Sequence, residues 1–160
     1  MAARRTLALL VAGTSFMELL DGTIIATAAP DMAVSLRVRP ADIGVAITAY
    51  LVTVAVGTPA SGWIAERFGT RRVFLLAIAM FSVSSLACAM APTLSILVTA
   101  RIAQGLGGAL MVPVGRLVVL RATEPSELIR AIAFLTWPAL AAPVVAPLLG
   151  GILTMYLSWH

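Results

Sequence analysis

Apolar residues run through this chain in long blocks separated by short polar connections, rather than alternating with polar ones. A block of about 20 mostly apolar residues is long enough to cross the hydrocarbon of a bilayer as a helix. Five segments qualify: residues 6–28, 42–65, 73–90, 94–119 and 127–156. The connections predicted between them are 30–41, which holds Arg37, Arg39 and Pro40; the strongly charged 66–72; the tight turn Ala91-Pro92-Thr93; and 120–126, which carries Arg121 and Glu124. Pro92 suits a first helical position, and Pro125-Ser126 reads as a helix start. The pattern predicts an all-α membrane protein with about five transmembrane helices in one unit, residues 1–160, without a linker or second domain.

Composition strengthens this. The chain is 61% hydrophobic and 11% charged, whereas a soluble domain averages about 25% charged residues. So few charges cannot cover a water-facing surface. The net charge of +4 does not imply nucleic acid, because the arginines are scattered between apolar runs and form no basic stripe. Cys88 is the single cysteine and His160 the single histidine, so no disulfide or thiolate metal cluster is expected within one chain. Arg4 and Arg5 before an apolar stretch, with Ala26-Thr27-Ala28 behind it, mimic a signal peptide. Glu18 and Asp21 interrupt that stretch and further spans follow, so a retained first helix is expected.

Arginine placement sets the expected orientation. Arg4, Arg5, Arg67, Arg71, Arg72, Arg116, Arg121 and Arg130 fall on one side, and only Arg37 and Arg39 on the other. The positive-inside rule then puts the N-terminus in the cytoplasm.

Glu18, Asp21 and Arg101 fall inside the spans. A charge at a helix centre costs about 2.5–3.5 kcal/mol on the insertion scale, so these three are expected to face one another or water. Helical rise places Glu18 about 12 Å, Asp21 about 8 Å, Arg101 about 10 Å and Tyr50 about 12 Å from the outer face of a core about 30 Å thick. Four polar groups from three helices thus share one layer. Thr14, Glu18, Asp21 and Ile25 form one helical stripe, and Arg101, Gln104, Gly105, Gly108 and Val112 another. Two readings are open. The pair can be a static brace between helices, or an ion or substrate relay. Burial and a neighbouring guanidinium pull a carboxylate's proton affinity in opposite directions. In the relay reading Asp21 exchanges protons, Arg101 sets its affinity, and Glu18 offers a second negative site for cationic substrates.

Small residues and prolines mark the last two spans. Gly105-Leu106-Gly107-Gly108-Ala109 lets helices approach closely. The fifth span carries Ala142, Ala146, Gly150 and Gly151, with Pro138, Pro143 and Pro147, which a helix bundle tolerates. Gly69, in the charged connection, suits a left-handed turn after a helix.

These pieces together resemble the major facilitator superfamily. Gly62 to Arg72, with Gly62, Glu66, Arg67, Gly69, Arg71 and Arg72, resembles its helix 2–3 signature; Ile64, Glu66 and Thr70 depart from the usual Leu, Asp and basic residue. Leu97 to Ala109, with Arg101, Gln104 and Gly105, resembles the helix 4 signature, whose arginine the resemblance links to proton coupling. Leu20 to Pro30 is similar to the helix 1 signature of the fourteen-helix drug:proton antiporters, the EmrB/QacA family, in which the aspartate corresponding to Asp21 is required. Pro147 to Gly151 resembles the antiporter signature, with Ala142 and Ala146 where that family often has Gly. Pro59 to Trp63 and Met111 to Arg116 look like the MdtD branch of the family.

The resemblance implies a partial N-terminal transmembrane domain: the first five helices of a six-helix half, stopping before helix 6. It also implies proton-coupled export of small amphipathic or cationic organic compounds by alternating access in a bacterial inner membrane. No cofactor beyond the coupling proton is expected, no metal, and no nucleic acid. The expected partners are the lipid bilayer, a small-molecule substrate and the C-terminal half, which Glu66 is expected to contact. Alternatives are an importer or symporter of the same superfamily, or a non-transporting membrane assembly protein. An enzyme is not expected, since no His pair or Ser-Lys site falls within the spans.

Overall fold

The computed structural model describes residues 2–127 and, beyond them, 129, 130, 132, 133, 135–137, 140, 141 and 145. Among residues 2–127, five α-helices follow one another: α1 (Ala2–Leu36), α2 (Pro40–Gly57), α3 (Ser61–Phe68), α4 (Thr70–Ala89) and α5 (Leu94–Ala122). A 3-10 turn, Thr58–Ala60, joins α2 to α3, and a second, Pro125–Glu127, follows α5. Four stretches are long and apolar enough to cross a membrane among the described residues: Ala8–Leu36, Pro40–Phe68, Thr70–Ala89 and Leu94–Ala122. The predicted fifth span, 127–156, with Ala142, Pro143, Ala146, Pro147, Gly150 and Gly151, falls largely outside the described residues.

Two predicted connections are much shorter than expected. The segment 30–41 is not a loop, because α1 runs through Pro30 to Leu36. Proline forfeits one backbone hydrogen bond, which a membrane helix tolerates. The helix ends at Arg37, whose φ of 55° is left-handed. Arg37 N–H donates to Val34 O at 3.2 Å and Val38 N–H to Ala33 O at 3.0 Å, the paired bonds of a Schellman ending. Val38 then packs into the apolar cluster that contains Ala33, which holds the turn without a glycine. Helix α2 begins at Pro40, a proline at a first-turn position, and the Asp42 carboxylate accepts from the Arg39 backbone N–H at 3.0 Å. The segment 66–72 is not a loop either. Glu66 and Arg67 finish α3, Arg71 and Arg72 lie in the first turn of α4, and only Gly69 separates the helices. Its φ of 89° is the conformation that L side chains rarely adopt.

Helix α5 is the hub, packed against α1, α2, α3 and α4, most extensively against α4 and α2. Its glycines explain how. A Cβ on Gly107 would lie 2.8 Å from the Phe81 backbone N of α4, and one on Gly105 would lie 2.9 Å from the Tyr50 backbone O of α2. Hydrogen at these positions lets two neighbours approach to backbone contact, which side chains in lipid would otherwise prevent. Hydroxyls on lipid-facing surfaces are satisfied within their own helix, as in Thr23 to Leu19 O at 2.9 Å and Thr99 to Ser95 O at 2.9 Å.

The interior divides into two apolar clusters. One, nearer the start of α1, gathers Val11, Phe74, Phe81, Met111 and Val114. The other, nearer its end, gathers Ile25, Met32, Ile43, Cys88 and Leu97. The embedded charges lie between them.

Candidate functional site

On α1, Glu18 and Asp21 are three residues apart and so share a face. On α5, Arg101 and Gln104 have the same spacing and look back at them. Arg101 Nη1 donates to Asp21 Oδ2 at 2.6 Å, with side-chain exposures of 6% and 16%. Gln104, fully buried, donates from Nε2 to Asp21 Oδ1 at 3.0 Å. Both oxygens of Asp21 are therefore taken, one by a cation and one by an amide. The Cys88 thiol of α4 donates to Gln104 Oε1 at 3.6 Å. That bond and the Asp21 bond together fix which way the amide points. A single chain of contacts thus runs from α4 through α5 to α1.

The second carboxylate is held differently. Glu18 Oε1 accepts from the Tyr50 hydroxyl of α2 at 3.3 Å. The Arg101 guanidinium lies over the Tyr50 ring, 5.8 Å from its centroid, within cation–π range. Gly108 sits against this pair. A Cβ there would lie 3.0 Å from Glu18 Oε1 and 3.2 Å from the Tyr50 hydroxyl. One guanidinium nitrogen, Arg101 Nε, is buried without a hydrogen-bond partner.

A half-open cleft of about 130 Å³ reaches the pair from the side, between α1, α4 and α5. Asp21 and Arg101 meet Ile24, Ile25, Met32 and Cys88 along its wall.

The layer residues named from the sequence, Glu18, Asp21, Tyr50, Arg101 and Gln104, come together in one network. The residues of the charged turn stand apart from it. Gly62 is exposed with open space around it, and Arg67, Arg71 and Arg72 are exposed. Glu66 lies 3.4 Å from Arg121 at the far end of α5. Gly105, Gly107 and Gly108 lie at close helix contacts, and so do Gly57 and Gly115, which sequence reasoning did not single out. It also missed Cys88. The signal was present in the inward stripe Ala77, Phe81, Ser84 and Cys88, which repeats at helical spacing.

The sequence model of the family described as Major Facilitator Superfamily matches residues 11–160. Proteins of Cronobacter sakazakii and Klebsiella pneumoniae, each provisionally named multidrug resistance protein MdtD, are 48% identical to this chain over 151 residues. The protein of the same name from Serratia proteamaculans is 47% identical. Each match covers 94% of this chain and 32% of the relative's own length.

Proposed function

The chain belongs to the major facilitator superfamily, and from that premise we propose that the full-length gene product containing it is a proton-coupled exporter of small amphipathic or cationic organic compounds. The observation that carries this reading is the polar layer between the two apolar clusters. Asp21, Arg101, Gln104, Glu18 and Tyr50 join α1, α2 and α5 through charges and hydrogen bonds rather than through apolar packing alone. Such a layer changes its charge when a proton or a cation arrives, and helices that share it must respond together. The MdtD relatives, named for multidrug resistance, point to drug-like cargo. Alternating access supplies the mechanism: the helices around the layer rock against a second half, exposing the layer to each side in turn.

In this reading the N-terminus is cytoplasmic and the membrane is the bacterial inner membrane. Gly62, Glu66, Arg67, Gly69, Arg71 and Arg72 act at the cytoplasmic edge as the conformational motif. The one-residue break at Gly69 sets the angle between α3 and α4, and the exposed arginines face the partner half and the lipid headgroups.

Everted membrane vesicles test the proposal. With the vesicle interior acidified, vesicles containing the full-length product should accumulate a lipophilic cation, and nigericin, which collapses the pH gradient, should abolish the accumulation. Accumulation indifferent to nigericin would remove the proton from the mechanism. Gradient-driven flux in the opposite direction would make the protein an importer.

A further inference from the structure

One embedded charge lies outside the polar layer. Arg116 falls within the apolar stretch Leu94–Ala122. Arg121, five residues on, marks the edge of the bundle with its exposed partner Glu66. Helical rise puts Arg116 about 7.5 Å inward of Arg121. The packing agrees. A Cβ on the neighbouring Gly115 would lie 2.8 Å from Phe74 Cε2 and 3.0 Å from Val11 Cγ1, and both of those residues belong to the first apolar cluster. The backbone at Arg116 is therefore level with that cluster, while the residue itself is exposed.

Two ordinary fates of such an arginine do not fit. A snorkelling arginine extends towards the headgroups. The Cα–Cβ bond of a helical residue tilts towards the helix N-terminus, so the stem of Arg116 starts away from the edge and towards the layer. Its charge is near enough to attract the Glu18 carboxylate. A structural ion pair does not fit either. Among the described residues Arg116 makes none, and Glu18 is bound to Tyr50 instead. Nor does α2 cover it. Gly105 and Ala109 lie on the same line of α5 as Arg116, within about 20° at 3.6 residues per turn. Both are buried, against Tyr50, Thr53 and Gly57 of α2, and that cover ends before Arg116 is reached.

A guanidinium so placed is costly in hydrocarbon and open to an anion that arrives and leaves. Resting on the exporter reading above, we infer that Arg116 binds a carboxylate of the cargo, so that the exported compounds carry an anionic group besides a cationic one. The planar guanidinium fork takes a carboxylate through two parallel hydrogen bonds. Gly108, where the α5 backbone is bare beside the layer, is eight residues from Arg116, about 12 Å along the axis. A zwitterion with its charges at opposite ends of a rigid ring system matches that separation.

The test uses the purified full-length product in detergent and two compounds. Ciprofloxacin has a carboxylate at one end and an ammonium at the other; its methyl ester keeps only the ammonium. Equilibrium dialysis reads the binding of each. The wild type should prefer ciprofloxacin to the ester by about tenfold. Arg116→Gln should weaken ciprofloxacin by that factor, leave the ester unchanged and so abolish the preference. Arg116→Lys, which keeps the charge without the fork, should restore part of it. A preference that survives Arg116→Gln would overturn the inference. Equal weakening of both compounds would make Arg116 structural and overturn it too. A wild type that binds the two alike, or binds neither, would remove the carboxylate from the cargo. The vesicle assay with a lipophilic cation decides separately whether the exporter reading stands.

Discussion

Among the described residues, helix α5 is tied to its neighbours by two ion pairs, one at each end of its charged face, and they are opposites. Arg101–Asp21 closes at 2.6 Å with side-chain exposures of 6% and 16%. Arg121–Glu66 stands at 3.4 Å with exposures of 55% and 69%. The chemistry is the same and the medium differs. In water the attraction is screened and ordering two long side chains offsets most of it, so an exposed pair contributes about 0–1 kcal/mol. Away from water neither charge has an alternative partner, and losing one exposes the full cost of the other. The first pair therefore constrains the fold, while the second holds α3 to α5 only weakly.

The sharpest way to break the comparison is to cut the buried pair. Asp21→Asn should destabilise the protein by about 3–5 kcal/mol, because the guanidinium keeps its charge without a carboxylate. Thermal unfolding in detergent would read this as a lowered Tm, and adding Arg101→Gln should recover much of it. A double variant no better than the single one would show that the pair is not the reason. Gly107→Ala comes next. Its new methyl would stand 2.8 Å from the Phe81 backbone N, and overpacking of this kind costs about 1–3 kcal/mol. The same unfolding assay should show a smaller loss, and an unchanged Tm would mean that α4 and α5 can separate freely. Glu66→Gln should be the smallest change, within about 1 kcal/mol and fading as salt is raised. A loss as large as that of Asp21→Asn would erase the distinction between the two pairs.

Much of this contrast was legible in the sequence, for a simple reason. Charges inside apolar blocks are rare enough to be conspicuous, and helical rise converts their position into depth. That arithmetic brought Glu18, Asp21, Tyr50 and Arg101 to one level, and the stripe rule added Gln104. What escaped it were features whose meaning depends on a neighbour from elsewhere in the chain. Gly57 and Gly115 are ordinary membrane glycines until the opposing helix is known. Cys88 looks like one more apolar residue until Gln104 is placed opposite its thiol. The end of α1 was misjudged because Pro30 is a strong local signal for a break, whereas the real stop, Arg37, has neither the residue type nor the spacing that marks a left-handed turn. There the paired bonds of Arg37 and Val38 and the packing of Val38 against the second apolar cluster decide the geometry, and the residue type at Arg37 does not announce them.

The two apolar clusters that flank the charged layer have a consequence of their own. An exporter of the proposed kind is useful only if it does not conduct protons. One cluster lies toward the start of α1 and the other toward its end, and the cleft that reaches Asp21 and Arg101 passes along Ile25, Met32 and Cys88 of the second. A hydronium moving along the bundle axis from the layer toward the start of α1 would have to pass Phe74, Phe81 and Met111. In the proposed exporter the first cluster is then the barrier to leakage, and substitutions that wet it should raise passive proton current before they affect any transport step.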